Sequence, residues 1–183
     1  RQHMGKSFIT QWASQARRMR KIVLAIRAIW DCWQNGTELD FRGEFFNYSL
    51  MTPMFNPGPL RVPRPPIFIG AVSPYNCRTA GELCNGFHAH GFHSAKSLRE
   101  NVIKNIEEGL RRAGRKRSEF TINAPVMAIM GDSKKEMDIM RERVREMVGF
   151  YGATSAYKRM FEAQGWEDKF IRLRNKSRNG EWS

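Results

Sequence analysis

Between about Ala16 and Trp33, apolar residues return every three or four positions. Met19, Ile22, Val23, Ile26, Ile29, Trp30 and Trp33 make one stripe, and arginines fill part of the opposite face. That spacing predicts an amphipathic helix. Asn35-Gly36 predicts its end. From Thr37 to Leu60 the periodicity breaks. ELDFRGEFFNYSL predicts short extended pieces around Gly43. The proline-dense stretch TPMFNPGPLRVPRPP predicts an ordered excursion over the surface.

The rhythm then changes. PPIFIGAV (65 to 72) is a short run of branched and aromatic residues, which predicts a strand buried on both faces. Ser73-Pro74 is a helix-start signal, serine as N-cap and proline at the first helical position, for a helix reaching Leu83. Gly86 to His90 predicts a second short strand. Ser94 predicts the cap of a long helix with Ala95, Leu98, Val102, Ile106, Leu110 and Ala113 on one face, ended by Gly114. Phe120 to Met130 predicts a third strand, with Pro125 arguing for an edge or a bulge within it. Ser133-Lys-Lys-Glu136 reads as a capping box. It opens a helix with Met137, Met140, Val144, Met147 and Val148 on one face. From about Thr154 the pattern weakens to helical patches.

Strand and helix alternating at this spacing mean βαβ units and a parallel sheet with right-handed crossovers, an α/β fold. Three strands make only a partial sheet, whose edges need cover.

Composition changes this picture little. A chain of 183 residues with 41% apolar content suits one domain with an ordinary core. No apolar run has the length of a membrane span, and RQHMGKSFITQWASQARRMRK carries no apolar signal segment. Three cysteines, Cys32, Cys77 and Cys84, form no CxxC pair, which argues against a disulfide framework and for a reducing cytoplasm. The net charge of +13 raises nucleic acid as a partner. The basic residues are spread, however, with clusters at RRAGRKR (111 to 117) and RLRNKSR (172 to 178) and no zinc-finger, RNP-like or KH-like motif. Such runs are usually solvated faces.

Candidate chemistry sits at the carboxyl ends of the strands, where parallel α/β folds bind ligands. Gly70-Ala71-Val72-Ser73-Pro74 is one place. Small residues there let a ligand approach the backbone, and the following helix start suits a phosphate. A plain strand-to-helix turn explains the same residues. The other place is NGFHAHGFH, with His88, His90 and His93. On a strand, His88 and His90 would share a face. Three histidines can hold zinc, yet no acidic residue between Asn85 and His93 offers a second shell. They can also line a polar pocket and donate to an anion, or sit on the surface with no role. There is no GxSxG elbow, Walker loop or HExxH. Glu44, Glu82 and Glu100 stand as isolated carboxylates, and Cys77 is read as a packed thiol.

In order along the chain, AIRAIWDCW, DFRGEFF, MTPMFNPGP, PPIFIGAVSP and AGELCNGFH resemble the luciferase-like monooxygenase superfamily, and its deazaflavin-dependent branch that uses coenzyme F-420 in particular. The resemblance runs over about residues 16 to 183. It implies a partial TIM-like (β/α)8 barrel: a helix after the fourth strand (1–36), a surface excursion (37–64), strand-helix units five to seven (65–152) and an insertion or tail (153–183), all in one partial domain. The remaining strands, with the groups that bind the cofactor ring and move protons, would lie outside this chain, so no catalytic residue is assigned. The resemblance implies that Gly70, Ala71, Val72, Ser73, Gly86, Phe87, His88 and His90 face the cofactor, at its phosphate-bearing side, and that no metal is held. The full-length enzyme would transfer a hydride to or oxygenate a small organic substrate, with FMN as the sibling cofactor, and homo-oligomers are compatible with it. A fragment alone would be inactive and would unfold or associate. Asn85 replaces the family's usual acidic residue, and Ala-Val-Ser its glycine-rich turn. The alternative reading is a non-catalytic basic α/β module that binds anionic ligands or nucleic acid.

Overall fold

The computed structural model describes residues 15–181. Of these, the residues up to Ile67 form one compact unit and those from Phe68 onward a second.

In the first unit, helix α1 (Gln15–Asn35) buries Val23, Ala25 and Cys32. Gly36, at φ 64°, ends it as its Asn-Gly sequence predicts. The extended pieces pair as a small antiparallel hairpin, β1 (Phe41–Arg42) with β2 (Asn47–Tyr48). Gly43 donates its N–H to the Phe46 carbonyl at 2.9 Å and to Asn47 Oδ1 at 3.2 Å, which closes the turn. Polar contacts tie the proline-rich excursion to α1. Gln34 brackets Leu60, accepting from its N–H at 3.1 Å and donating to its carbonyl at 3.4 Å. Arg64 pairs with Asp31 at 2.5 Å. The excursion leaves Leu50, Met54, Phe55 and Val62 exposed.

The second unit is a three-stranded parallel sheet with helices. β3 (Phe68–Gly70), β4 (Gly86–His88) and β5 (Thr121–Asn123) lie in that order, Ile69 opposite Phe87 and Phe87 opposite Ile122. Helix α2 (Pro74–Leu83) joins the first two strands. The parallel sheet and its helices are those of a partial barrel, not a closed one. Each strand is shorter than its apolar run. Pro125 lies beyond β5 rather than inside it, because a residue without an N–H cannot continue the ladder. The sheet is also buried on one face, not two. Ile69 and Phe87 are buried, while Gly70, His88, Thr121 and Asn123 are exposed on the other face.

The caps fall where the sequence places them. Ser73 Oγ accepts from the Asn76 N–H at 3.3 Å, with Pro74 next in line. Ser94 and Ser97 form a reciprocal capping box, at 3.1 and 2.9 Å. At the third cap, Ser133 takes the Glu136 N–H at 3.2 Å, but Glu136 reaches Asp132 instead of Ser133 to complete the box.

The helix after Ser94 is not regular. A turn of α3 (Ala95–Ser97) runs into a π-helical stretch (Leu98–Ile103) and then α4 (Lys104–Arg112). The wider turn breaks the single face drawn from spacing. Ile106 and Leu110 enter the core, Leu98 and Val102 are half-buried, and Ala95 and Ala113 are exposed. α2 and α4 cross with backbones in contact at Gly81 and Gly109: a Cβ on Gly109 would lie 2.9 Å from the Arg78 carbonyl carbon. Around this crossing Cys77, Ala80, Cys84 and Phe87 are fully buried.

Helix α5 (Lys134–Gly152) keeps its apolar stripe largely uncovered, with Met137, Met147 and Val148 exposed. Only its carboxyl end joins a core. There Phe92, Phe161 and Phe170 cluster with Met127, Tyr151, Tyr157, Met160 and Leu173. This cluster folds the weakly patterned tail into a turn (Ser155–Tyr157), α6 (Lys158–Glu162) and α7 (Glu167–Arg178).

Cys32, Cys77 and Cys84 are all buried and form no disulfide. Burial pushes the Cys77 thiol up to about 12, against the pull of Arg78 and Arg159. Since the thiolate is the reactive form, no cysteine should react with a disulfide reagent in native buffer, and all three should react in denaturant. Rapid native labelling of any one would contradict this burial.

Candidate functional site

A narrow cleft opens at the carboxyl ends of β3 and β4. Ala71 and Val72 supply one wall, from the turn that follows β3. Ala89, His90, Phe92 and His93 supply the floor, from the segment after β4. The π-helical stretch and its approach contribute Ser97, Leu98, Asn101 and Val102, and the tail closes the far side with Ala156, Tyr157, Arg159 and Met160. Its volume is about 40 Å³. That holds roughly three waters, or the oxygens of one small oxyanion.

Among the described residues, no carboxylate lines this cleft. Its charge comes from Arg159, whose guanidinium has no carboxylate partner among the described residues. Arg159 acts electrostatically on Cys77, which places its charge near the first turn of α2. The amino end of that helix carries partial positive charge, although Pro74 has no N–H and Ser73 already accepts from the Asn76 and Cys77 N–H groups. In the same turn, Asn76 Oδ1 is buried without a hydrogen-bond partner among the described residues. Turning that carboxamide end over end would present an N–H pair instead.

The histidines hold their own loop. His90 Nδ1 accepts the Phe92 N–H at 3.1 Å, so its proton sits on Nε2. His93 Nδ1 donates to the His90 carbonyl at 2.6 Å. Burial, helped by nearby His93, holds His90 below the ordinary histidine value. His90 is therefore neutral at pH 7. Its ring packs against Tyr151 and Tyr157, with centroids at 4.5 and 4.9 Å.

The residues named from the sequence do not all meet here. Ala71, Val72 and His90 line the cleft. Gly70 sits at its edge, where a Cβ would come 3.2 Å from the His88 carbonyl. The Ser73 hydroxyl is committed to its helix cap. Gly86 lies at the other end of β4, beneath the Phe68 ring, and Phe87 is fully buried. β4 ends at His88, so the alternation that would put His90 on the same face stops there. His88 stands on the exposed sheet face, 5.2 Å from the Phe68 ring. Among the described residues, no three His, Cys, Asp or Glu side chains come together to hold a metal. Glu44 and Glu82 are ion-paired, with Arg17 at 3.4 Å and Arg112 at 3.8 Å.

Asn101, Tyr157 and Arg159 escaped the sequence reading. Asn101 Nδ2 donates to the Arg159 carbonyl at 3.0 Å, across 58 positions of chain. No local pattern announces such a partner.

Comparison with known proteins fits this architecture. An uncharacterized protein of Mycobacterium tuberculosis is 40% identical over the whole of this chain and 54% of its own length. The 5,10-methylenetetrahydromethanopterin reductase of Archaeoglobus fulgidus is 29% identical, over 93% of this chain and 48% of its own. The chain thus spans about half the length of the curated relatives it matches. The structure of a coenzyme F-420 dependent tetrahydromethanopterin reductase from Methanopyrus kandleri superposes with a TM-score of 0.63 at 18% identity, covering 91% of this chain and 45% of that one. No helix among the described residues is long and apolar enough to cross a membrane. The profile of the luciferase-like monooxygenase family matches residues 1–183 throughout, and the chain belongs to that family.

Proposed function

We propose that this chain forms the part of a deazaflavin-dependent oxidoreductase that grips the phosphate-bearing side of coenzyme F-420. The carrying observation is a cleft at the carboxyl ends of β3 and β4 that contains an arginine and no carboxylate among the described residues. A phosphate there would meet the Ala71 and Val72 backbone, the amino end of α2 and the Arg159 guanidinium, each favourable to negative charge. Gly70 and Ser73 shape the turn. His88 and Gly86 would serve through the sheet and not by direct contact at the cleft.

The family and the reductases related to this chain support a cofactor that carries the hydride, acting on a small organic substrate. The cofactor supplies that chemistry, and this chain supplies binding and orientation. FMN presents a similar phosphate, but the names of the relatives favour the deazaflavin.

Titration of the chain with F-420, FMN and inorganic phosphate tests this reading. F-420 should saturate at one site, tolerate moderate salt and be displaced by phosphate. Arg159→Ala should weaken it about tenfold, the loss of one charge-assisted contact. Equal F-420 binding by Arg159→Ala would remove the cleft from the account. Oligonucleotide binding with a steep salt dependence, and no F-420 binding, would favour the basic-module alternative.

A further inference from the structure

The segment His90–His93 does more than line a wall. Phe92 is the residue by which the β4 segment enters the aromatic cluster of the tail, with its ring centroid 5.4 Å from Tyr157 and 6.0 Å from Phe161. Its backbone N–H is held by His90 Nδ1. The His90 ring in turn packs on Tyr151 and Tyr157, from the end of α5 and the turn before α6. One imidazole thus seats both the backbone and the rings of the joint between the sheet and the tail.

That acceptor is a base. A proton added from water to Nδ1 turns it into a donor aimed at another donor, the Phe92 N–H. The contact must then open, and the ring must turn to find an acceptor. We infer that His90 is a proton-operated latch: neutral, it seats Phe92 and keeps the tail closed over the cleft; protonated at Nδ1, it releases the Phe92 amide and loosens the turn Ser155–Tyr157 and α6.

The groups facing His90 act in both directions. His93 on its own loop disfavours a further positive charge there, and Arg159 on α6 lines the same cleft. The Tyr151 and Tyr157 rings packed against it offer the imidazolium some compensation. The cleft residues from the β3 turn and the π-helical stretch are uncharged. With its folded value lowered, His90 contributes stability at pH values above the ordinary histidine range, and this is lost as pH falls through the folded value. Asn101, donating to the Arg159 carbonyl, and Gln164, donating to the Ser94 hydroxyl, still tie the joint and carry no titrating group, so opening is local and not global.

The latch does not depend on which ligand the cleft takes, so it can fail while the cofactor reading stands. The test is an NMR titration of the whole chain, following each histidine ring and the exchange of the Phe92 amide, corrected for intrinsic rate. Phe92 should lose at least tenfold protection at the midpoint of His90, below the ordinary histidine value, while the far-ultraviolet circular dichroism holds. In His90→Asn the carboxamide oxygen stands where Nδ1 stood and does not titrate, so the step should vanish. A Phe92 step that follows His88 or His93 in the unmodified chain, or that survives in His90→Asn, would overturn the latch. If His90→Asn fails to fold, the coincidence of midpoints in the unmodified chain decides alone.

Discussion

Gly109→Ala should lower the stability of the second unit by about 3 kcal/mol or more, as overpacking of a rigid contact does. In a solvated helix the same change gains about 1 kcal/mol, because alanine is the better helix former. The sign reverses because of what faces Gly109. A methyl there meets the Arg78 carbonyl group and lies 3.0 Å from its Cα, and backbone cannot rotate away as a side chain can. Gly81 faces Ile106 and Leu110 in the same way from the opposite helix, where an added Cβ would lie 2.8 Å from the Leu110 nitrogen. Gly149, in α5, has nothing within 4 Å of an added methyl and supplies the internal control. Gly149→Ala should stabilise by about 1 kcal/mol. Urea midpoints of the two variants should therefore move in opposite directions. A Gly109→Ala midpoint that rises with that of Gly149→Ala would mean that α2 and α4 do not cross in backbone contact.

Arg115→Ala should cost about 2 to 3 kcal/mol, the scale of hydrogen bonds from a charged group. The guanidinium closes the carboxyl end of α2, where the last carbonyls lack partners within the helix. Its Nη1 donates to the Gly81 carbonyl at 2.8 Å and to the Cys84 carbonyl at 2.7 Å. The positive charge also suits a helix carboxyl end. The Phe120 ring lies 5.9 Å from the guanidinium carbon and holds it in place. Arg115→Lys should recover part of the loss, since an ammonium donates to the carbonyls but does not stack on the ring as a planar fork does. Denaturant melts rank the three chains. A lysine variant equal to the parent would make the fork unnecessary, and an alanine variant equal to the parent would deny the staple altogether.

Both predictions rest on residues that look ordinary in the sequence. Gly109 reads as a weak point in a helix, and Arg115 as one more charge in RRAGRKR. What distinguishes them is a partner 31 to 34 positions away for Arg115 and the facing turn of α2 for Gly109. Local signals were different. Ser73, Pro74, Ser94, Ser133, Gly36 and Gly114 each act through the backbone within a few residues, so their roles were legible before any fold was known. The same holds for the order of strands and helices, which spacing alone conveys.

Strand length was not legible in that way. PPIFIGAV is apolar over eight positions, yet only Phe68–Gly70 pairs as strand, since pairing needs a neighbour and not only a propensity. The π-helical stretch was hidden because one extra residue in a turn costs little locally and is selected by what the turn packs against. The α5 stripe shows the reverse failure: the period is right, but an apolar face becomes core only where something covers it.

The sequence by itself therefore determined the α/β class, the caps, the helix ends and the position of the candidate site at the strand ends, because each follows from interactions within a few residues. Tertiary structure alone decided which site residues converge. It sent Gly86 under Phe68 and His88 to an open face, kept Ala71, Val72 and His90 together, and brought Asn101 and Arg159 to them from the π-helical stretch and the tail. Convergence of that kind depends on long-range packing through Phe92 and its partners, and no short window of sequence contains it.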